Sequence, residues 1–348
     1  MNDVKQRAKN AMLGLAIGDA ISWTSMFHRS VLLPHWTRRI RREIDTSSET
    51  TNVLLTPMPF SLNQPAEYFN ISPTDKTEWA AFSAEILLKS NNESYEQNIY
   101  SEWLKLVNSP DQIRGYVSTQ AAITNLRSGL KPPQTGKQNP HYFDDGAMSR
   151  AVPIGIICAG LPAEAAHLAE IDASVTNSED GVWAAQSIAV TISLVCAGES
   201  VIDATNAAYQ YLPESSWIKR IVDQVMFITE KCDSVFSILP ELQNRIINRE
   251  YSYGNVAPET LAIALLIAKY HGDDFEKAIS TSACFAKSGE TLPALVGALV
   301  GAKQSHNIAN GFWLASIEKL KGISIPHFVE KNYLNIVEDL SNQAGQRK

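Results

Sequence analysis

The sequence predicts an all-α protein, a compact multi-helix orthogonal bundle that forms a single domain over residues 1–348. Three observations support this fold class. Apolar residues recur at helical spacing in several segments, no alternating apolar and polar stretch is long enough for a sheet, and no linker or fixed-period repeat divides the chain. We therefore expect roughly half or more of the residues to be helical.

The first predicted helix lies near the N-terminus. Val4, Ala8 and Leu15 recur on one helical face and form an apolar stripe. Gly14 and Gly18 add a strip of small residues, and the lack of side chains there lets another backbone approach closely. The segment is therefore predicted to be a helix that packs tightly against a second element.

Later segments repeat the helical pattern. Trp79, Phe82 and Ile86 lie on one face of a second predicted helix, and Pro73 with Thr74 supplies its start signal. The remaining predictions are helices that begin near Ser178 and near Pro153, helices at 218–228, 258–270, 275–286 and 292–302, and a loop at 132–142.

Composition and charge narrow the class of partner. The net charge is −7, from 30 Lys+Arg and 37 Asp+Glu, and a protein that binds nucleic acid non-specifically usually carries a basic surplus, so no nucleic acid is expected. The N-terminus lacks a signal-peptide pattern, and the apolar runs at 188–197 and 261–268 are too short to cross a bilayer. The four cysteines form no C-x-x-C pair. We expect a cytoplasmic monomer or small homo-oligomer without a membrane partner.

Five polar runs stand out, and each alone has an ordinary structural explanation. Asp19 follows the first helix, where a helix end or a pocket-floor carboxylate would fit. The run 74–78 suits a helix cap or oxygen ligands for Mg²⁺ or Ca²⁺. The run 139–150 is a polar loop or an acid–base site, and 174–180 is an N-cap cluster. The run 287–291 is a turn or the source of side-chain oxygens for a shared pocket.

Two further groups of side chains could contact a ligand. Four arginines at 38–42 are predicted to form a solvated face, with contact to a ligand phosphate as the alternative. Trp79, Trp183, His141 and Tyr142 lie beside the polar runs and could stack on a base or sugar. Core packing is the commoner role of such tryptophans.

The order of the polar runs is more specific than any one of them. Gly-x-x-x-Gly-Asp-Ala comes first, followed by Thr-Asp-x-Thr, Gly-Ala-x-x-Arg-x-x-Pro and Thr-Asn, and then an acidic-Thr turn before a Gly- and Ala-rich helix. In this order the chain resembles the ADP-ribosylglycohydrolase family from about Val4 to about Gln304. The resemblance implies a central cleft with two neighbouring Mg²⁺ ions and hydrolysis at the anomeric carbon of ADP-ribose.

The resemblance also implies a metal site, with departures that change it. Lys76 stands where the family has a second Asp, and Ser288 stands where it has another. Because a lysine ~4–6 Å from a metal ion is a costly neighbour, we predict at most one Mg²⁺ ion, or none. The Lys76 ammonium is then expected to take the space of a missing ion between Asp75 and Glu290. The mapped metal ligands are Thr74, Asp75, Ser288, Glu290 and Thr291.

Catalytic and substrate-binding residues are predicted from the same runs. Asp144 and Asp145 are candidates for the acid–base function that other positions have lost, and Arg150 either orients a carboxylate or makes a structural ion pair. The predicted catalytic residues are Asp75, Asp144, Asp145 and Glu290. The predicted substrate contacts are Asp19, Lys76, Glu78, His141, Gly146, Arg150 and Asn177.

Three functions follow as hypotheses. The resemblance implies a glycoside hydrolase that cleaves an N- or O-glycosidic bond of ADP-ribose or a related nucleoside or ribosyl compound, as a small molecule or on an ADP-ribosylated protein. The alternative is a catalytically impaired protein that binds ADP-ribose or blocks a toxin, as an immunity protein does. A purely structural helical protein is the third hypothesis.

Overall fold

A computed structural model describes residues 2–27, 71–90, 94–230, 234–248, 250–251, 254–285 and 287–346. Within these ranges the chain forms sixteen α-helices, one 3-10 helix and two isolated β-bridges but no strand, which confirms the all-α prediction. Of the described residues, 67% are helical. The arginines at 38–42 lie outside the described residues.

The helices are numbered in chain order. The first eight are α1 (Asn2–Phe27), α2 (Asp75–Leu88), α3 (Tyr95–Asn108), α4 (Val117–Arg127), α5 (Gln134–Lys137), α6 (Met148–Ile157), α7 (Pro162–Ala173) and α8 (Asp180–Ala197). The others are α9 (Val201–Tyr209), α10 (Trp217–Thr229), α11 (Val235–Arg245), α12 (Ala257–His271), α13 (Phe275–Ala283), α14 (Leu292–Lys303), α15 (Gly311–Ile317) and α16 (Tyr333–Gln343), with the 3-10 helix Pro326–Phe328 before α16.

Helices α1 and α14 touch backbone to backbone. A Cβ built on Gly14 would lie 2.0 Å from the carbonyl oxygen of Gly297, and one on Gly18 would lie 2.0 Å from that of Pro293. The Asn10 side chain extends the contact by donating to the Gln304 carbonyl at 2.9 Å. The predicted close approach at the glycine strip is confirmed, and it brings the C-terminal half of α1 beside the start of α14.

Helix α8 lies inside the protein, packed against α6, α7 and α9. It starts at Asp180, as the polar run before it predicts. Within the described ranges it is the helix long and apolar enough to cross a membrane by length and composition, and 78% of it is buried inside the protein. It therefore occupies the position of a core helix.

Aromatic side chains fasten α2 to α3. Trp79 stacks on Trp103 with ring centroids 5.1 Å apart, and Phe82 meets Trp103 edge-on at 5.8 Å. The Arg150 guanidinium lies 5.4 Å from the centre of the Trp103 ring. The aromatic face of α2 is therefore core, and Trp79 is not placed to stack on a ligand.

Two boundaries differ from the sequence-based expectation. Helix α6 begins at Met148, and Pro153 lies inside it rather than at its start. Proline removes one helix hydrogen bond, but all ten residues of α6 are buried, and this burial offsets the loss. The predicted loop at 132–142 contains the single-turn helix α5, and α13 ends at Ala283.

The backbone contact of α1 and α14 predicts that Gly14→Ala and Gly297→Ala destabilise the protein. Alanine favours an isolated helix over glycine by about 1 kcal/mol, but overpacking costs about 1–3 kcal/mol, and here the obstacle is backbone. Urea denaturation monitored by circular dichroism measures the change. Gly311→Ala is the control, because a Cβ there meets no atom within 4 Å. Equal midpoints for Gly14→Ala and Gly311→Ala would contradict the prediction.

Candidate active site

A cavity of about 290 Å³ opens beside the N-terminal end of α2 and the turn before α14. Two of its lining side chains are acids, Asp75 and Glu290, which are 20% and 30% exposed. The two runs that the sequence predicts to meet do lie together. The lining residues are Ser22, Thr74, Asp75, Arg114, Gly115, Tyr116, Val117, Glu290, Ile323 and Ser324.

Asp19 fixes the start of α2 from beneath the cavity. Its carboxylate accepts the backbone N–H groups of Thr74 at 2.7 Å and Thr77 at 3.0 Å, and also both threonine hydroxyls. Burial and the nearby Asp75 charge raise the pKa of Asp19 to about 6, although Lys76 and the threonine hydroxyls oppose the shift. Because these bonds occupy a fully buried carboxylate, Asp19 acts as a helix cap, and its substrate contact stays a prediction.

Glu78 holds one wall of the cavity. Its carboxylate accepts three successive backbone N–H groups, from Ile323 at 2.8 Å, Ser324 at 2.7 Å and Ile325 at 3.0 Å. Burial raises the pKa of Glu78, and the three N–H donors oppose that effect. Glu78 therefore positions Ile323 and Ser324, which line the cavity, and its own contact with a substrate stays a prediction.

The Lys76 ammonium lies between the two acids of the cavity. Its Nζ is 2.5 Å from Asp75 Oδ2 and 3.4 Å from Glu290 Oε1, and it sits 4.4 Å from the centre of the Tyr116 ring. Burial lowers the pKa of Lys76, but the charges of Asp75, Glu290 and Asp145 outweigh burial and hold it above its ordinary value. The side chain is 1% exposed, so Lys76 lies in the floor of the cavity, and its contact with a substrate stays a prediction.

Tyr116 connects Lys76, which lies beneath the cavity, to the turn before α14. Its hydroxyl lies 2.7 Å from Thr291 Oγ1. Burial, with Asp145 and Glu290 nearby, raises the pKa of Tyr116 well above its ordinary value, so the phenol stays protonated. A Cβ on Gly146 would lie 2.8 Å from the tyrosine ring. Gly146 thus makes room for the Tyr116 ring, and its contact with a substrate stays a prediction.

Asp144 and Asn177 shape the loop that precedes α6. Asp144 Oδ1 accepts the Gly146 N–H and the Asn177 side-chain amide, each at 3.1 Å. The same amide donates to the Tyr142 carbonyl at 2.9 Å. Burial raises the pKa of Asp144, and these donors oppose the shift. Both side chains are buried and hold the loop, and the catalytic role of Asp144 and the substrate contact of Asn177 stay predictions.

Asp145 is a fully buried acid with one partnered oxygen. Its Oδ2 accepts from the Thr260 hydroxyl at 2.8 Å, whereas Oδ1 is buried and has no hydrogen-bond partner among the described residues. Burial raises the pKa of Asp145 to about 7, although Lys76 and Thr260 act in the opposite direction. A protonated fraction at neutral pH follows, and its acid–base role stays a prediction.

Arg150 and His141 lie away from the cavity lining. Arg150 Nε donates to Asp172 at 2.6 Å and its Nη2 donates to the Thr176 hydroxyl at 2.9 Å, in a pair that is almost fully buried. The structural ion pair, one of the two alternatives for Arg150, is therefore the observed arrangement. His141 is half-buried, and its Nδ1 lies 2.6 Å from the Tyr251 hydroxyl.

The residues present do not fit a two-ion magnesium centre. Mg²⁺ requires six oxygen ligands at about 2.0–2.1 Å, and the oxygens of Asp75 and Glu290 are turned towards an ammonium instead. The Ser288 hydroxyl, which stands where the family has a carboxylate, brings no negative charge to this position and is buried without a hydrogen-bond partner among the described residues. Nor do the described parts of the chain contain three or more His, Cys, Asp or Glu side chains grouped to hold a metal.

Sequence reasoning missed Arg114 and Tyr116. The Arg114 backbone N–H donates to the Ser324 carbonyl at 2.9 Å, and this bond joins the segment before α4 to the opposite wall. Arg114 is an exposed residue that lines the cavity, and its side chain makes no ion pair within the described ranges. The only local signal was an Arg-Gly-Tyr run before a helix, which is too common to indicate a site.

The raised pKa of Asp145 predicts a pH-dependent effect of Asp145→Asn. Because the folded protein binds the proton more tightly than the unfolded chain, the aspartate costs stability as pH rises from about 4 to about 7. Relative to wild type, Asp145→Asn should therefore gain stability over this range, with a slope of at most about 1.4 kcal/mol per pH unit. Urea denaturation at several pH values measures it, with exposed Asp273→Asn as control. A pH-independent difference would contradict the assignment.

The chain is similar in sequence and in fold to known proteins. A sequence model of the ADP-ribosylglycohydrolase family matches residues 1–346. An uncharacterized protein of Archaeoglobus fulgidus is 24% identical over 311 residues, which cover 86% of this chain and 88% of that protein. A solved structure described as an ADP-ribosylglycohydrolase-related protein complex superposes with a TM-score of 0.61 at 18% identity and covers 99% of each chain, so the fold is shared.

Proposed function

Because the chain belongs to the ADP-ribosylglycohydrolase family, we propose that it hydrolyses an N- or O-glycosidic bond of ADP-ribose or a related ribosyl compound. The family is hydrolytic and commonly uses divalent metal ions. One observation carries the proposal. The cavity holds the carboxylates of Asp75 and Glu290, and each accepts from the same buried ammonium.

Two carboxylates at one sugar-sized cavity suit glycoside hydrolysis. Because Asp75 Oδ2 and Glu290 Oε1 lie 2.5 and 3.4 Å from one nitrogen, they are at most about 6 Å apart, which suits action on one ring. Ribose hydroxyls donate to these oxygens, and one carboxylate takes the proton of the water that adds to the anomeric carbon. The bond to the leaving group breaks, and this group takes its proton from solvent or from the carboxyl group that accepted the proton of the water.

The cavity favours a ribosyl group that carries an anionic substituent. About 290 Å³ is at the lower end of the range of about 300–1,000 Å³ for ligand sites, so the described cavity fits the ribosyl end rather than all of ADP-ribose. Arg114 is an exposed residue that lines this cavity, and a guanidinium can bind a phosphate through two parallel hydrogen bonds. The substrate is a small ribosyl molecule or an ADP-ribosylated protein.

The remaining properties are part of the same proposal. At most one Mg²⁺ ion accompanies the reaction, and no step above depends on it. The chain acts as a single domain, as a monomer or small homo-oligomer, in the cytoplasm. Nucleic acid and membrane are not partners.

A hydrolysis screen tests the proposed activity. The substrates are ADP-ribosylated arginine, an ADP-ribosylated serine peptide, and free nucleosides with and without a 5′-phosphate, and released ribosyl product is measured by chromatography. We expect at least one substrate to be cleaved, and we expect Asp75→Asn and Glu290→Gln each to lower kcat by about 10²–10⁴-fold because the water loses its base or its alignment. The exposed Glu214→Gln is the control.

The second candidate function is ADP-ribose binding without hydrolysis, as in a toxin-blocking protein. The mismatch between the cavity acids and a two-ion centre favours it. A rise in melting temperature with ADP-ribose, together with no product from any substrate, would replace the hydrolase proposal with this one. If no substrate is cleaved and neither ADP-ribose nor nucleosides change the melting temperature, the hypothesis of a purely structural helical protein remains.

Arg114→Gln tests the anionic substituent. Loss of a charged hydrogen bond of about 1.5–3 kcal/mol corresponds to a rise in KM of about 10–100-fold for a 5′-phosphorylated substrate. The unphosphorylated nucleoside should keep its kcat/KM, because it has no group for the guanidinium to bind. Steady-state kinetics on the matched pair measures both values, with exposed Arg220→Gln as control. Equal losses on both substrates would show that Arg114 does not read the phosphate.

A further inference from the structure

The floor of the cavity carries its own cation. Lys76 is the second residue of α2, yet its side chain is almost fully buried and turns under the helix start. It reaches Asp75 at 2.5 Å and Glu290 at 3.4 Å, and so it joins the two mapped halves of the site across the fold. A surface lysine that happened to pair with an acid would not be enclosed in this way.

The environment of Lys76 suits an ammonium and not a divalent ion. The face of the Tyr116 ring lies 4.4 Å from Nζ, and an aromatic face attracts an ammonium but offers no oxygen to complete a magnesium shell. The Tyr116 hydroxyl is directed to Thr291 at 2.7 Å instead. Lys76 thus has two carboxylates and a ring as neighbours.

The other mapped metal positions offer only hydroxyl oxygens. Two of these hydroxyls already form hydrogen bonds, and the third belongs to a serine, whose side chain is shorter than that of an aspartate. Thr74 Oγ1 bonds to Asp19, and Thr291 Oγ1 bonds to Tyr116. The Ser288 hydroxyl, where the family has a carboxylate, is buried and reaches no partner among the described side chains. A divalent ion that entered between Asp75 and Glu290 would therefore have to displace the ammonium. Because the ammonium is part of the Lys76 side chain, it is present at every concentration of the ion.

We propose that the Lys76 ammonium is a permanent, tethered cation that replaces the divalent ion between Asp75 and Glu290. The site is then assembled without Mg²⁺ at that position, and its geometry does not depend on ion supply. An ammonium with a single charge does not activate a bound water as a divalent ion does. The deprotonation of water in this protein therefore belongs to a carboxylate.

Mn²⁺ and Mg²⁺ binding tests this replacement without the use of hydrolysis, so its outcome is separate from that of the substrate screen. Mn²⁺ titration followed by electron paramagnetic resonance measures bound ion, and thermal melting is compared in EDTA and in millimolar Mg²⁺. Wild type should retain no Mn²⁺ saturably and should melt at the same temperature in both buffers. Saturable Mn²⁺ binding to wild type that is lost in Glu290→Gln would overturn the proposal.

Lys76→Asp provides the converse experiment. The variant carries three acids where wild type has two acids and an ammonium, so it should melt several degrees lower than wild type in EDTA. It should bind Mn²⁺ and regain several degrees in Mg²⁺. If it melts identically in both buffers, the cation position is not one that a divalent ion can take, and the proposal fails. Should Lys76→Asp not fold, the wild-type titration decides alone.

Lys219→Asp is a matched control. Lys219 is also buried, lies 3.3 Å from Glu214 and 3.6 Å from Asp223, and sits 4.2 Å from the centre of the Tyr209 ring. Its two acids are exposed, so water and not an ion solvates them when the lysine is lost. Lys219→Asp should therefore gain no Mg²⁺ dependence. An equal gain of Mg²⁺ dependence would contradict the proposal, because it would show that any acid added beside two others is sufficient to create a Mg²⁺ site.

Discussion

The architecture depends on the approach of α1 to α14, which is close enough that only glycine fits at the crossing. Gly14 and Gly297 face each other's carbonyl oxygens, and Gly18 faces Pro293. The residues that follow on each helix are thereby placed side by side, and the Ser22 hydroxyl lies 3.4 Å from the Glu290 carbonyl. The close contact at the glycines of α1 and α14 thus sets the position of Glu290 at the cavity.

Buried carboxylates then connect this frame to the cavity. Asp19 accepts hydrogen bonds from the first N–H groups of α2, and Glu78 accepts them from a distant loop. These two buried acids therefore determine where Asp75 and Ser324 lie. A buried charge is costly unless it is paired, and here each carboxylate is satisfied by several donors. The acids that position the backbone, Asp19 and Glu78, are therefore distinct from the exposed acids of the cavity, although Glu78 is close to Asp75 in sequence.

The sequence predicted the helical class, the glycine contact and the meeting of Asp75 with Glu290, because each left a local pattern or an ordered set of motifs. It left two alternatives open for Arg150 and did not predict the interior contacts of Asn177, since an arginine or an amide in a motif has the same letter whether it faces a ligand or a buried partner. Tyr116 was missed because its partner Thr291 is 175 residues away and no local pattern records that contact. Contacts at such separation exist only in the folded chain.

Asp75 and Glu290 lie on either side of one ammonium but are 215 positions apart in the chain, which has a consequence for synthesis. At about 5–20 residues per second, Glu290 is made about 10–40 s after Asp75. During that interval the apolar face of α1 has no α14 to cover it. During synthesis the chain therefore exposes the apolar face of α1 before the cleft between Asp75 and Glu290 can form.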